Sequence, residues 1–528
     1  MGVYFNPGLI DFARSVRSEI YVDKTELIAL TNRWLNTDNQ YICVSRPRRF
    51  GKSMTLNMLA AYYSRGCDSA ELFKGLKVEN VPSFKEHLNK YNVIFLNIKQ
   101  ILVEADKENI VDYLQKIVLE ELSEEYKEFV TKEEKKLIAA LRKIYVKTGK
   151  QFIFLIDEWD CIIRERQDHE ELQKQYLDFL CGLLKDQGYV VLAYMTGILP
   201  IKKYGVHSAL NMFIEYSMTN QKALEEYTGF TEDEVRTLCI KYNMDFEETS
   251  NWYDGYTLKH FKHIYNPKSV VEAMQCSDFE SYWTSTETYE ALKIYIDMDF
   301  NGLRSDIVRM LGGGRVKVDT NSFQNDMHNL KIKDDTLTLL IHLGYLAYNP
   351  ETKEVFIPNK EIIEEFERAM RINNWEAVIK VTQASDKLLE DTLQGREKNV
   401  ADGLDQAHTN ISSILTYNDE ASLACAVRLA YFSAIRDYKL IRELPTGKGF
   451  ADIVFLPLPN KNKPAIIIEL KYNKSANTAI RQIKETQYTQ ALSDYSGEIL
   501  LVGINYDKES KKHNCIIEKW NNFDCPLH

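Results

Sequence analysis

The string RPRRFGKS (Arg46–Ser53) lies between an apolar run, YICVS (Tyr41–Ser45), and a helical pattern, MTLNMLAAYY (Met54–Tyr63). No other feature constrains the fold as much. A strand that ends in a turn and re-enters a helix aims backbone N–H groups at one point, the positive end of that helix, and so forms a cradle for a phosphate. Gly51 lets the turn close. Lys52 is placed to reach β- and γ-phosphates, and the Ser53 hydroxyl to bind Mg²⁺. The full pattern has glycine where this chain has Arg46. A lone GKS therefore reads equally as the start of a surface helix. Arg48 and Arg49 are either phosphate contacts or solvated side chains.

A second string favours the phosphate reading. FIFLIDE (Phe152–Glu158) is an apolar run ending in two acids, 105 residues after Lys52. Asp157 is placed to hold Mg²⁺ and Glu158 to polarise an attacking water; the plainer alternative is a pair of helix-capping acids. Thr196 ends a further run, YVVLAYMT (Tyr189–Thr196), where a polar sensor of the γ-phosphate would lie. Together with NVIFLNI (Asn92–Ile98), these runs are nearly continuous in apolar residues, as strands buried on both faces must be. Helical patterns such as Lys107–Leu141 separate them, which predicts an α/β domain with a parallel sheet covered on both sides. Met212–Met218 is the candidate closing strand.

A length of 528 residues implies several domains. Residues 1–223 form the P-loop segment. Residues 224–373 read as mainly helical. Within them a helix over Asp335–Leu346 precedes LAYNPETKEVFIPN, two short strands, the layout of a winged-helix-like unit. Residues 374–416 read as a polar helical linker. Residues 417–528 alternate strands and helices again, with strands near Lys439–Leu444, Ala451–Leu456, Ala465–Tyr472, Glu498–Asn505 and Cys515–Trp520.

The last segment carries its own chemistry. Asp452 lies in GFADIVF, and 17 residues later come Glu469 and Lys471 in IIIELKY. Glu469 and Lys471 are two apart on a strand and share a face. Such a pair after a run of isoleucines is costly unless it faces a polar site. Asp452 on a neighbouring strand would complete a carboxylate pair for Mg²⁺, with the Leu470 carbonyl as a further ligand. Lys471 would orient or deprotonate the attacking water, or offset charge developing at phosphorus. The alternative is an edge-strand salt bridge.

The strings YVDKT (Tyr21–Thr25), RPRRFGKS, LIDEWD (Leu155–Asp160), TGIL (Thr196–Leu199), WYDGY (Trp252–Tyr256) and YNPKSV (Tyr265–Val270) occur in one order along the chain. In this the sequence resembles the bacterial AAA-ATPase-like family, whose members usually end in a PD-(D/E)XK nuclease domain. The resemblance implies ATP-binding positions at Gly51, Lys52, Ser53, Asp157 and Glu158, with Arg46 a family feature. It also implies a restriction-endonuclease-like α/β domain at the C-terminus, with Asp452, Glu469 and Lys471 on the three defining positions, although Ala451 stands where the family name has proline. Such folds often add an acid from a preceding helix, and Glu420 is the candidate. Gln482 and Tyr488 are candidates to meet the DNA backbone or a water, or else lie on a solvated helix face. The expected cofactors are ATP and Mg²⁺, with Mn²⁺ an option at the nuclease site, and the expected activities are ATP hydrolysis and DNA cleavage. No arginine finger can be assigned, so ATP sites shared within a homo-oligomer stay open.

Charge qualifies the DNA expectation. The chain carries 66 basic and 77 acidic residues, net −11, which excludes binding to nucleic acid or membrane by overall charge. Residues 439–512 nevertheless hold 12 basic and 8 acidic residues, leaving −15 on the rest. Contact with DNA is expected to be modest, salt-sensitive and confined there. No apolar run is long enough to span a bilayer. MGVYFNPGLIDFAR lacks the pattern of a signal peptide, and nine scattered cysteines suit a reducing cytoplasm. The rival expectation is a nucleotide-switch regulator that binds DNA or protein and carries a catalytically silent nuclease fold.

Overall fold

The computed structural model describes residues 2–520, except 107, 132, 202–209, 221–223, 284–287, 299, 301, 325–329, 373–374, 413, 415–419, 447–448, 459–460, 486–494 and 496. The chain forms two compact units. One comprises Met1–Val235, Tyr256–Val271 and Val318–Lys353; the other comprises Arg236–Gly255, Glu272–Lys317 and Glu354–His528.

The first unit is built on a five-stranded parallel sheet. Its strands are β1 (Tyr41–Ser45), β2 (Asn92–Asn97), β3 (Phe152–Asp157), β4 (Val190–Gly197) and β5 (Ile214–Tyr216), in spatial order β2-β3-β4-β1-β5. All of β3 and β4 is buried, as their unbroken apolar sequences require. The short run at 212–218 does close the sheet, pairing with β1 as its edge strand. The order reverses at β1, and in open parallel sheets ligands bind beyond the carboxyl ends of strands at such a point. RPRRFGKS occupies that position. The helix Lys52–Tyr63 that follows buries Leu56, Leu59, Tyr62 and Tyr63 in a core with Ile42, Val44, Ile153, Leu155 and Tyr194. The single helical pattern read over Lys107–Leu141 is two helices, Ile110–Glu125 and Leu137–Thr148. Tyr126 stops the first: its φ/ψ of −116° and 46° leave the helical region, and it tucks into the core.

The strings after the sheet wrap the phosphate loop. The Phe50 ring meets the edge of Tyr256 at 5.3 Å, and the Phe50 carbonyl accepts the Gly229 N–H. Phe230–Thr231 pairs with Ile264–Tyr265. A Cβ on Gly229 would come within 2.6 Å of Ile264 and 3.2 Å of Phe50, so glycine is what lets these segments close on the loop.

The middle region is mainly helical. The helix Lys333–Leu343 and the strands Ala347–Asn349 and Glu354–Phe356 form in the order read from sequence. The division into units runs between those two strands. Among the described residues no helix is long and apolar enough to cross a membrane.

The second unit contains a five-stranded mixed sheet, with Tyr438–Thr446, Gly449–Pro457, Ala465–Tyr472, Ile499–Asp507 and Lys512–Trp520 in that spatial order. One pair, Ala465–Tyr472 with Ile499–Asp507, is parallel, and the other neighbours are antiparallel. A parallel pair needs a crossover. The helix Ala476–Glu485 lies in it and packs Ile480 and Ile483 on Val454, Ile467 and Leu501. Residues 376–411 form two helices, Glu376–Leu393 and Glu397–Ile411. The second is fastened to the edge strand, where Asp405 accepts from the His513 backbone N–H at 2.8 Å and Glu397 from that of Ile517 at 2.9 Å.

Candidate active sites

At the N-terminal site Gly51 caps the helix Lys52–Tyr63 with φ of 83°, and Arg49 turns with φ of 68°. Positive φ at two of three successive residues produces the tight curl that aims N–H groups inward. Lys52 folds back into this curl and donates to the carbonyls of Arg46 at 2.9 Å and Pro47 at 2.7 Å. Burial lowers its pKa to about 8, against the opposing pull of Asp157, Asp160 and Glu158. The amine thus sits in the field of acids more than a hundred residues away in sequence. Ser53 is exposed at the helix start, and Arg48 and Arg49 are half-buried. Arg46 turns away from the curl. Its Nη1 donates to the carbonyls of Ser45 and Tyr216, both at 3.0 Å, tying β1 to edge strand β5.

The acids at the end of β3 are individually held. Asp157 accepts the Thr196 hydroxyl at 2.6 Å and the Glu158 N–H at 3.0 Å. β4 lies between β1 and β3 and carries Thr196 at its carboxyl end, so the strand order brings Thr196 to Asp157. Glu158, at φ of 51°, pairs with Arg164 at 2.7 Å. Asp160 pairs with the same arginine at 3.0 Å and accepts the N–H groups of Ile198 and Leu199. A Cβ at Gly197 would lie 2.8 Å from Asp160 Oδ1 and 2.7 Å from Trp159 Nε1, so only glycine allows this approach. Asp160 and Arg164 were not singled out in the sequence. Their signal was an acid and an arginine four apart, directly after the catalytic-looking pair.

At the C-terminal site Ile453 pairs with Ile468, and the next residue outward on each strand is Asp452 and Glu469. Asp452 accepts the Leu470 N–H at 2.8 Å. Glu469 and Lys471 form a buried ion pair at 2.7 Å. Burial pulls the Asp452 pKa up. The Leu470 N–H, Lys471 and Arg428 oppose this, and Glu420 adds to it. Glu420 opens the helix Glu420–Ala430 as read, is exposed, and acts on Asp452 through space. Gln482 lies half-buried on the helix Ala476–Glu485; Tyr488 is outside the described residues. Among the described residues no group of three acidic, histidine or cysteine side chains is arranged to hold a metal ion.

Two family models match. The family described as Predicted AAA-ATPase covers residues 8–207, and the PD-(D/E)XK nuclease superfamily covers residues 418–516. The chain carries an AAA-ATPase-like domain and a PD-(D/E)XK nuclease-superfamily domain. RPRRFGKS, LIDEWD and TGIL all fall inside the first match, and Glu420, Asp452, Glu469 and Lys471 inside the second. A relative from Azotobacter chroococcum mcd 1, described as an uncharacterized protein in the vnfD 5′ region, is 24% identical over 274 residues, or 51% of each chain. The present chain therefore spans about half the length of that relative. The Aeropyrum pernix ORC2 protein, solved in ADPNP–ADP complexes, aligns with 68% of this chain and 98% of its own at 11% identity and a TM-score of 0.32. A likeness that loose carries no argument about the AAA-ATPase-like domain.

Proposed function

We propose that the AAA-ATPase-like domain hydrolyses ATP and that the nuclease-superfamily domain cleaves DNA phosphodiester bonds. The observation that carries the first half is the meeting of Lys52, Asp157, Glu158 and Thr196 at the carboxyl edge of one parallel sheet. On this reading the curl at Arg49–Gly51 cradles the phosphates, with Arg48 and Arg49 alongside, and Lys52 turns from its two carbonyls to the β- and γ-phosphates. A water oxygen attacks the γ-phosphorus, the bond to the β,γ-bridging oxygen breaks, ADP leaves with that electron pair, and the proton of the water passes to Glu158. The Ser53 hydroxyl and the Asp157 carboxylate fit Mg²⁺, a hard cation that takes oxygen ligands.

For the second half, Asp452 and Glu469 fit the same ion, which is commonly held by one or two carboxylates and the substrate's own phosphate. Mg²⁺ or Mn²⁺ would polarise the phosphate there. Glu420 and the Leu470 carbonyl are the further candidate ligands. An ammonium that donates to Glu469 has no lone pair for a proton, so Lys471 is better suited to offset charge at phosphorus than to act as the base. Glu469 then takes the proton of the attacking water, and the leaving 3′ oxygen is protonated from solvent. We place the protein in a reducing cytoplasm, with an ATP-driven step gating a nuclease whose DNA contact is weak and salt-sensitive.

One observation favours the rival, a nucleotide switch with a silent nuclease fold: Asp452 and Glu469 are already engaged, by Leu470 N–H and Lys471. Reciprocal variants separate the two. With Mg²⁺ or Mn²⁺ present, Lys52→Ala should lower ATP hydrolysis more than about 100-fold. Lys471→Ala and Asp452→Ala should abolish DNA cleavage and leave ATP hydrolysis intact. Cleavage that persists in both triad variants would overturn the nuclease assignment. No cleavage by the wild type, together with no metal binding at millimolar concentration, would favour the switch.

A further inference from the structure

Glu158 lies in an unusual setting. Its backbone is left-handed, with φ of 51°, a conformation that is unfavourable for a non-glycine residue and persists where surrounding contacts over-determine it. The over-determining contact is Arg164, whose side chain is only 7% exposed. Arg164 spends its fork on two different carboxylates, Nη2 on Glu158 at 2.7 Å and Nε on Asp160 at 3.0 Å. The Asp160 oxygen that takes Nε also takes the N–H groups of Ile198 at 3.0 Å and Leu199 at 2.8 Å, directly after Thr196-Gly197. A chain of bonds therefore runs from Glu158 through Arg164 and Asp160 to the turn that begins at Thr196, and Thr196 itself holds Asp157. A surface salt bridge would need none of this; here a nearly buried cation is committed to joining two acids.

Charge points the same way. Asp157, Glu158 and Asp160 all act on Lys52, and so does Arg164 with opposite sign. Without Arg164, the carboxylate of Glu158 would face an incoming triphosphate with its own paired cation gone. An arginine can address two carboxylates at once through separate N–H groups, whereas a lysine presents one point charge.

We propose that Arg164 is a positioning residue of the ATP site, which holds Glu158 by one carboxylate oxygen and locks it, through Asp160, to the turn after Thr196. The proposal rests on the reading of Glu158 as the acceptor of the water proton. It assigns Arg164 no contact with the nucleotide, so its effect must pass through Glu158.

A double-mutant comparison in the full chain tests this. Steady-state ATP hydrolysis and the Kd of a fluorescent ATP analogue are measured for Arg164→Met, Glu158→Gln and the pair. Arg164→Met should lower kcat by about 30-fold with Kd unchanged within about threefold, and the pair should be no slower than Glu158→Gln alone, within about twofold. Arg164→Lys, which keeps the charge and loses the fork, should fall between Arg164→Met and the wild type. Multiplying losses in the pair, a loss carried by Kd, or a wild-type rate in Arg164→Met would each overturn the proposal. If Arg164→Met does not fold, the same comparison with Arg164→Lys decides by the same criterion. A wild-type rate in Glu158→Gln would instead show that the underlying reading of Glu158 is wrong, and the proposal would fall with it.

Discussion

The two candidate sites hold their acids in different ways. In the AAA-ATPase-like domain each functional side chain has its own partner: Asp157 has the Thr196 hydroxyl, Glu158 has Arg164, and Lys52 has two backbone carbonyls. In the nuclease-superfamily domain Glu469 and Lys471 pair with each other, and Asp452 accepts the Leu470 N–H. The first arrangement can lose its lysine without breaking a direct ion pair, because Lys52 donates to the carbonyls of Arg46 and Pro47. The second cannot, because removing either partner of the pair strands a buried charge.

That difference gives the largest expected effect on folding. Glu469 and Lys471 have side chains only 2% and 8% exposed, so Glu469→Ala should destabilise the second unit by about 3 kcal/mol. Lys52→Ala removes an amine that burial already disfavours and breaks no direct ion pair, its hydrogen-bond partners being carbonyls, so it should cost its sheet less than Glu469→Ala costs the second. Since a chain with two compact units need not unfold in one step, hydrogen exchange is the suitable measurement. Glu469→Ala should speed exchange in Ala465–Tyr472, and Lys52→Ala should leave Phe152–Asp157 protected. Equal losses in both strands would break the comparison.

A smaller effect is expected from Thr196→Val, which keeps the shape and deletes one hydrogen bond to Asp157. A hydrogen bond to a charged group contributes about 1.5–3 kcal/mol, but Asp157 retains the Glu158 N–H. Hydrolysis should slow by roughly 10-fold, and the Mg²⁺ concentration for half-maximal rate should rise. If the Mg²⁺ dependence does not move, Thr196 acts on the nucleotide and not through Asp157.

Much of this was legible because it was local. Strand β3 ends in its acids, Lys52 follows its glycine, and Glu469 and Lys471 share a strand face by period alone. Partner identity was less legible. That Asp157 meets Thr196 follows from β4 lying between β1 and β3, an order that alternating strands and helices do not specify. Arg46, standing where the full pattern has glycine, reads from sequence as a family feature without a stated role; the role becomes intelligible only from its guanidinium on the Tyr216 carbonyl, 170 residues away. The Glu158–Arg164–Asp160 bridge was hidden for another reason. Its members are close in sequence, but the left-handed backbone at Glu158 and the close approach at Gly197 decide where they point.

The smallest expected effect has the opposite sign from the others. Burial, assisted by Glu420, pulls the carboxyl of Asp452 above its ordinary pKa, despite the opposing Leu470 N–H, Lys471 and Arg428. The folded chain therefore binds this proton more tightly than the unfolded chain, and stability falls as pH rises from the unfolded value through the folded one. Above the folded value the full deficit is present. Asn cannot ionise, and its side-chain oxygen can still accept the Leu470 N–H, so Asp452→Asn should be more stable than the wild type at pH 7 without metal. A rise in the melting temperature of the second unit of roughly 1–2 °C is expected, fading as pH falls below the ordinary aspartate value, where both chains become neutral at this position. Mg²⁺ should then stabilise the wild type and not the variant, because an ion that binds only the folded chain shifts its unfolding by mass action. A variant less stable than the wild type at pH 7 would mean that Asp452 is stabilised as an anion by the Leu470 N–H, Lys471 and Arg428.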